Sequence, residues 1–329
     1  MTSNLISSET YQYLYEKFGN DIQIFPLQDE ASTRRYFLLE SKTKKFVICL
    51  DNQVNEDFIL LSDFFLDQNI RVPKVLERND NLNLLILSWE GQKDLSSLDQ
   101  DTYQKQIPDV LNLLLKIQKL NPPVLVKNRK FDTEKLMSEI LLTESKFEIF
   151  KNLYNISTDI SIEVHAFLEE CAGYLSKHEV NVFTHRDFHS RNLLLNDEGS
   201  MTLIDFQDAR MGVPQYDLAS ILYDAYYPLP RDFRIQMLAY FQKHSIGGTV
   251  KFKETFYLQS LQRSFKALGT YFRMVVDEKK DKFKPSILSC LDQLEEIVQL
   301  GMFSDALYIF VRSLRNELQK HPDFKIKIK

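Results

Sequence analysis

The sequence predicts a two-lobed α+β fold, a β-rich N-terminal lobe followed by a larger and mainly helical C-terminal lobe. Three observations predict it. Runs of strand length crowd the first ninety residues, helical periodicity dominates from about Asp94 onward, and a hairpin pattern interrupts the helices at Val182 to Phe206. A chain of 329 residues is long enough for such a unit with a substantial core.

In the N-terminal lobe Ile22 to Phe25 reads as extended. Arg35 to Glu40 follows a polar turn at Asp29 to Thr33, and Lys45 to Leu50 is an apolar run of buried-strand type. Glu56 to Asp67 reads as the one helix of this lobe, with Phe58, Leu61, Phe64 and Phe65 at helical spacing. Leu84 to Leu87 makes another buried strand, and the composition turns polar at Ser88-Trp89-Glu90-Gly91. The expected division is therefore a lobe over 1–88, a hinge over 89–94 and a lobe over 95–329. In the latter, Asp132 suits an N-cap for a helix from Thr133 toward Phe147, with Phe131 and Leu136 at the staple positions. Further helices fit Tyr216 to Tyr226, Phe233 to His244, Glu254 to Val276, Ile287 to Leu300 and Phe303 to Leu318, with a break at Gly247-Gly248. Between Val182 and Phe206 the pattern is loop, strand, turn, strand, with Leu193 to Leu195 and Met201 to Ile204 flanking Asn196 to Ser200.

Composition excludes several classes. A formal charge of -5 with 44% hydrophobic residues is that of an ordinary globular protein and lacks the basic excess of a nucleic-acid binder. The basic run Lys325 to Lys329 reads as a solvated tail. Three scattered cysteines form no disulfide framework and suit a reducing cytosol. Met1 to Asn20 lacks the pattern of a signal peptide, and no apolar run approaches the ~20 residues that span a bilayer. The expectation is a cytoplasmic protein, taken to be a monomer, that binds neither nucleic acid nor membrane.

Chemistry concentrates in Thr184-His185-Arg186-Asp187-Phe188-His189-Ser190-Arg191-Asn192. An aspartate with an asparagine five positions later is the arrangement H-R-D-x-x-x-x-N, and Asp205-Phe206-Gln207 follows where phosphotransferases place D-F-G. Phosphoryl transfer needs these types. Mg²⁺ is a hard cation that takes oxygen ligands, which Asn192 and Asp205 offer, and Asp187 is left to orient the acceptor hydroxyl and take its proton. The hairpin brings these three residues to one end. A rival pattern is His185, Asp187 and His189 as H-x-D-x-H zinc ligands, but His165, His178, His244 and His321 are scattered and complete no site.

These residues resemble the aminoglycoside-phosphotransferase-like kinases, which share the protein-kinase-like fold and act on small molecules. Within them the chain is most similar to the anomeric sugar kinases that phosphorylate N-acetylmuramate and N-acetylglucosamine at the 1-hydroxyl during cell-wall (peptidoglycan) recycling. Four stretches carry the resemblance: Ala31 to Phe37, Phe46 to Asp51, Thr184 to Asp224, and Gln262 to Gly269. It implies ATP and Mg²⁺ as cofactors, Asp187 as catalytic base, Asn192 and Asp205 as metal ligands, and Ser88, Trp89 and Glu90 as the hinge beside adenine. It also implies that Asp217 braces the catalytic loop.

One departure stands out. The third-strand lysine that usually holds the phosphates is replaced by Cys49, and Gln28 to Arg35 contains no glycine. Arg34 and Arg35 are the expected cationic substitutes, with Ser32 and Thr33 covering the phosphates. His189, Arg191 and Asp208 flank the catalytic residues as candidate contacts to sugar hydroxyls or an acetamido group. Arg263 and Lys266 are candidates for an acceptor's lactyl carboxylate or the phosphates, against the ordinary use of such a helical pair as a solvated face. The alternatives are a kinase of another small alcohol or an aminoglycoside, and a non-catalytic pseudokinase-like binding module.

Overall fold

The computed structural model describes residues 6–27, 34–196, 198–246, 251–301 and 303–324. The chain forms two compact units, residues up to Asp94 with Leu193–Gln207, and Leu95–Asn192 with 208–329.

The first unit opens on helix α1 (Ser8–Phe18), capped by Ser7, whose side chain accepts from the Thr10 N–H. Strands β1 (Gln23–Pro26), β2 (Arg35–Glu40) and β3 (Lys45–Leu50) follow, then helix α2 (Glu56–Asp67), β4 (Val75–Asn79) and β5 (Leu84–Ser88). All pairings are antiparallel, in the order β1-β2-β3-β5-β4. Phe37, Leu39, Ile48, Leu50, Leu84 and Ile86 alternate onto one face and bury against Leu14 of α1. Two helices, not one, therefore serve this lobe. The edge strand β4 is charged and bulged between Val75 and Glu77, a device that blunts an exposed edge.

The hairpin Leu193–Leu195/Met201–Leu203 belongs with this unit, although the sequence places it with the helical lobe. Lys93–Asp94 pairs with its first strand and the Leu203 N–H donates to the Arg71 carbonyl. Phe206 packs its ring against Phe58 and Phe65 of α2, with centroids 4.9 and 5.5 Å away. Gly91, at φ +100°, has no room for a side chain, since a Cβ there would meet the Leu195 carbonyl oxygen at 2.8 Å.

In the second unit α3 (Gln100–Gln118) and the single turn α4 (Val124–Lys127) lead to α5 (Thr133–Tyr154), capped by Asp132 as the sequence predicts. Helices α6 (Ile162–Ser176), α7 (Gln215–Leu222), α8 (Arg231–His244), α9 (Phe252–Val276), α10 (Lys284–Gly301) and α11 (Asp305–Lys320) complete it. The long helix α9 is its axis, packed by α5, α7 and α10 and buried along most of its length. Val182–Thr184, read from sequence as loop, is a fully buried strand paired antiparallel with Arg210–Gly212. The break expected at Gly247-Gly248 lies outside the described residues.

Candidate active site

In the second unit the strand Val182–Thr184 delivers a loop whose backbone is forced. Arg186 sits at φ +83°, a region that residues with a Cβ rarely adopt. Buried Asp217 of α7 holds it there, accepting the N–H of His185 at 2.6 Å and of Arg186 at 3.0 Å. Asp224 fixes the other end of the loop. It is buried and accepts the Ser190 N–H at 2.8 Å, the Ser190 hydroxyl and the Tyr226 N–H at 2.8 Å.

Between these anchors stand Asp187 and Asn192. The Asn192 amide nitrogen donates to the Asp187 carbonyl at 2.8 Å, which leaves its Oδ1 as the acceptor atom of the amide. Asp187 Oδ1 lies 3.0 Å from the Lys266 ammonium. Burial pushes the Asp187 carboxyl up, but Lys266 first, then Arg186, His189 and Arg263, outweigh it and hold the group well below the usual carboxylate range. Arg186 pairs in turn with Asp208 at 3.0 Å and Glu139 at 3.7 Å, and Glu139 accepts from Gln262 at 3.1 Å. The His189 ring stacks edgewise on Tyr226, and the Arg191 guanidinium lies 3.8 Å over the same tyrosine.

One expectation changes here. Arg263 faces no solvent: it is buried and donates to Ser220 of α7, so its charge reaches Asp187 only through space. Asp208 is engaged by Arg186. Glu139 had no sequence signal, and Asp224 and Arg186 had none beyond the end of the Thr184 to Asp224 segment and membership of the H-R-D run.

In the first unit Asp205 is at φ +63°, with its side chain 45% exposed and Oδ1 accepting from Gln207 at 2.8 Å. Arg34 approaches both Asp205 and Asp51 to 3.9 Å and donates to the Tyr36 hydroxyl at 3.3 Å. Burial lowers the Arg34 pKa, but Tyr36, Asp205 and Cys49 more than restore it. Tyr36 faces Cys49 across β2 and β3, and burial pushes the Cys49 thiol up to about 11, so it carries no charge near neutrality. Arg34, Tyr36, Cys49 and Asp51 line one recess with Asn55 and Phe58. Arg35, by contrast, is exposed. Ser88 accepts from the Lys74 N–H at 2.8 Å and donates to Glu90 at 2.6 Å. Glu90 also takes Arg71 at 2.7 Å and Thr202 at 3.4 Å, and Trp89 lies under the Lys45 ammonium at 5.9 Å. Ser32 and Thr33 lie outside the described residues.

Each unit offers one hard oxygen donor of the kind Mg²⁺ takes, the Asn192 amide oxygen in the second and the exposed Asp205 carboxylate in the first. Among the described residues no three His, Cys, Asp or Glu side chains converge as a metal site.

Replacing Asp217 with Ala leaves two buried N–H groups without acceptors and frees the strained Arg186 backbone. The expected cost is about 2–5 kcal/mol in denaturant unfolding, with less for Asp217→Asn, which keeps one acceptor. Burial pushes the Asp217 carboxyl up to about 7, against the pull of its two N–H donors. That exceeds the ~3.9 of an unfolded aspartate, so the stability it contributes is full below about pH 4 and is lost as pH rises through 7. The advantage of the wild type over Asp217→Asn should therefore narrow across that window. An advantage that widens would mean that Asp217 is ionised in place.

Comparison with known proteins gives a consistent result. The model of the phosphotransferase enzyme family matches residues 23–252. A protein of Neisseria meningitidis serogroup B named N-acetylmuramate/N-acetylglucosamine kinase is 25% identical, over 82% of this chain and 83% of its own. One of the same name from Pseudomonas aeruginosa is 24% identical, over 84% of each chain. Among solved structures, spectinomycin phosphotransferase APH(9)-Ia with ADP and spectinomycin aligns at a TM-score of 0.63 and 15% identity, over 95% of this chain and 100% of that one. A thermostable mutant of aminoglycoside phosphotransferase APH(4)-Ia with ADP and hygromycin B aligns at 0.58 and 18% identity, over 90% and 100%.

Proposed function

The chain belongs to the phosphotransferase enzyme family, and from that premise we propose that it transfers the γ-phosphate of ATP to the anomeric hydroxyl of an N-acetylated amino sugar. The observation that carries the transfer is the locked loop, with Asp187 beside Lys266 and Asn192 tied through its amide nitrogen to the Asp187 carbonyl. Support for the sugar comes from the relatives named N-acetylmuramate/N-acetylglucosamine kinase, which match over most of both chains.

In this reading Asp187 accepts a hydrogen bond from the acceptor hydroxyl. The oxygen attacks the γ-phosphorus, the bond to the β–γ bridging oxygen breaks with its electron pair leaving on ADP, and the proton passes to Asp187. An anomeric hydroxyl is acidic for an alcohol because the ring oxygen withdraws charge, so a weakly basic carboxylate is enough. Asn192 and Asp205 are the side chains that would each offer an oxygen to Mg²⁺, and the ion would supply positive charge against the phosphates. Arg34, not Arg35, takes the place of the missing lysine, since its guanidinium approaches the Asp205 carboxylate from the residue just before β2, whose Tyr36 faces Cys49. The location is cytoplasmic, where ATP is available and the buried free thiols Cys49, Cys171 and Cys290 stay reduced.

An aminoglycoside acceptor is disfavoured by charge. The carboxylates at the loop, Asp187 and Asp208, are already paired with Lys266 and Arg186, which leaves them less to offer a polycationic substrate. The deciding test is to incubate the protein with ATP, Mg²⁺ and either N-acetylmuramate or N-acetylglucosamine and follow ³¹P NMR. A new phosphate resonance coupled to the anomeric proton is expected. Product with an aminoglycoside and none with either sugar would overturn the proposal.

A further inference from the structure

Lys266 is more firmly built in than a substrate contact on a helix surface needs to be. Its ammonium is 3.0 Å from Asp187 Oδ1 and its side chain only 15% exposed. The helix that carries it is clamped on both sides of it. Thr143 of α5 donates to the Phe265 carbonyl at 3.2 Å, and Gly269 lies so close to α5 that a Cβ there would stand 2.8 Å from the Thr143 Cα. The rise and rotation of α9 are thus fixed at this turn. One turn earlier Arg263 is committed to Ser220.

We propose that Lys266 is a charge-neutralising residue of the reaction centre, its ammonium shared between Asp187 and the phosphoryl group in transfer, and not a reader of an acceptor's carboxylate. This rests on the phosphoryl-transfer reading above but not on which sugar is the acceptor. A hydroxyl bonded to Asp187 stands about 2.7 Å from it, so the reacting oxygen lies in the neighbourhood of the Lys266 nitrogen. An ammonium has three donors, and Asp187 takes one. When the acceptor gives up its proton the charge on Asp187 falls, while the equatorial phosphoryl oxygens keep theirs. The pull of the ammonium then passes from carboxylate to phosphoryl oxygen with no movement of the side chain. Such preorganised charge acts in the transition state more than in the ground state, so it governs kcat and leaves KM nearly alone.

The test compares wild type, Lys266→Met and Lys266→Arg. Lys266→Met should lower kcat by about 10²-fold while the KM for each amino sugar stays within about threefold, and Lys266→Arg should regain at least ~10-fold. A second readout needs no turnover. Calorimetry should show Lys266→Met binding ADP–Mg²⁺ as the wild type does, but losing at least ~10-fold in affinity for ADP–Mg²⁺ with aluminium fluoride, a mimic of the phosphoryl group in flight. A KM that rises for N-acetylmuramate alone with kcat unchanged would return Lys266 to the lactyl carboxylate and overturn the inference. So would equal affinities for ADP with and without the fluoride in wild type and variant alike, or a loss of kcat that arginine does not restore at all. Should the wild type phosphorylate neither sugar, the sugar assignment fails and the fluoride comparison still decides the role of Lys266.

Discussion

Asp187→Asn is expected to lower turnover by about 10³-fold while leaving nucleotide affinity within about threefold of the wild type. The substitution keeps size and removes both the negative charge and the proton-accepting oxygen. It also strips the Lys266 ammonium, 3.0 Å away, of its counterion. Nucleotide affinity should survive because Arg34, the cation proposed to hold the phosphates, is positioned within the first unit by Tyr36, Asp51 and Asp205. Since the cations around it hold the Asp187 carboxyl below the usual range, its value lies in orientation, and a correctly aimed acceptor can be worth several powers of ten. Initial rates and a calorimetric titration with a non-hydrolysable ATP analogue check both halves. Turnover within a few-fold of the wild type would remove Asp187 from the mechanism.

Much of this architecture is legible in the amino-acid sequence, for local reasons. Strands β2 and β3 and helix α2 have the bounds that their apolar runs and helical spacing predict, because each buries a face and is punctuated by polar residues, with Asn55 capping α2. Helix α1 escapes a sequence reading because it buries only Thr10 and Leu14 and leaves Tyr11 and Tyr15 exposed, too narrow a stripe to read. β4 alternates half-buried and exposed side chains under a charged sequence, and Val182–Thr184 is only three residues long. Within the site, Asp187 and Asn192 are legible because their spacing is local. The pair Lys266–Asp187 spans 79 residues and depends on how α9 is clamped to α5. A helical Arg and Lys three apart look alike in sequence, yet one lies beneath α7 and the other against the catalytic loop. Only packing separates them.

Position of transfer is the sharpest discriminator among acceptors, and methyl glycosides read it. The 1-O-methyl glycosides of N-acetylglucosamine and N-acetylmuramate should give no product, a rate at least ~10³ below that of the free sugars, while competing with them for the site. Methylation removes the proton that Asp187 would accept and places a carbon where the γ-phosphorus must approach the oxygen in line. The hydroxyls at the other ring positions are untouched, so an enzyme acting at any of them would lose little. Binding should persist because the ring and acetamido group still present the same polar edges, with no charge changed among Lys266, Arg186 and Asp187. The measurement is a coupled ADP assay with each glycoside as substrate, then as inhibitor of N-acetylglucosamine phosphorylation. Competitive inhibition without turnover fits anomeric transfer through Asp187. Turnover of the glycosides at rates near those of the free sugars would sink the anomeric assignment and leave a sugar kinase acting at another hydroxyl.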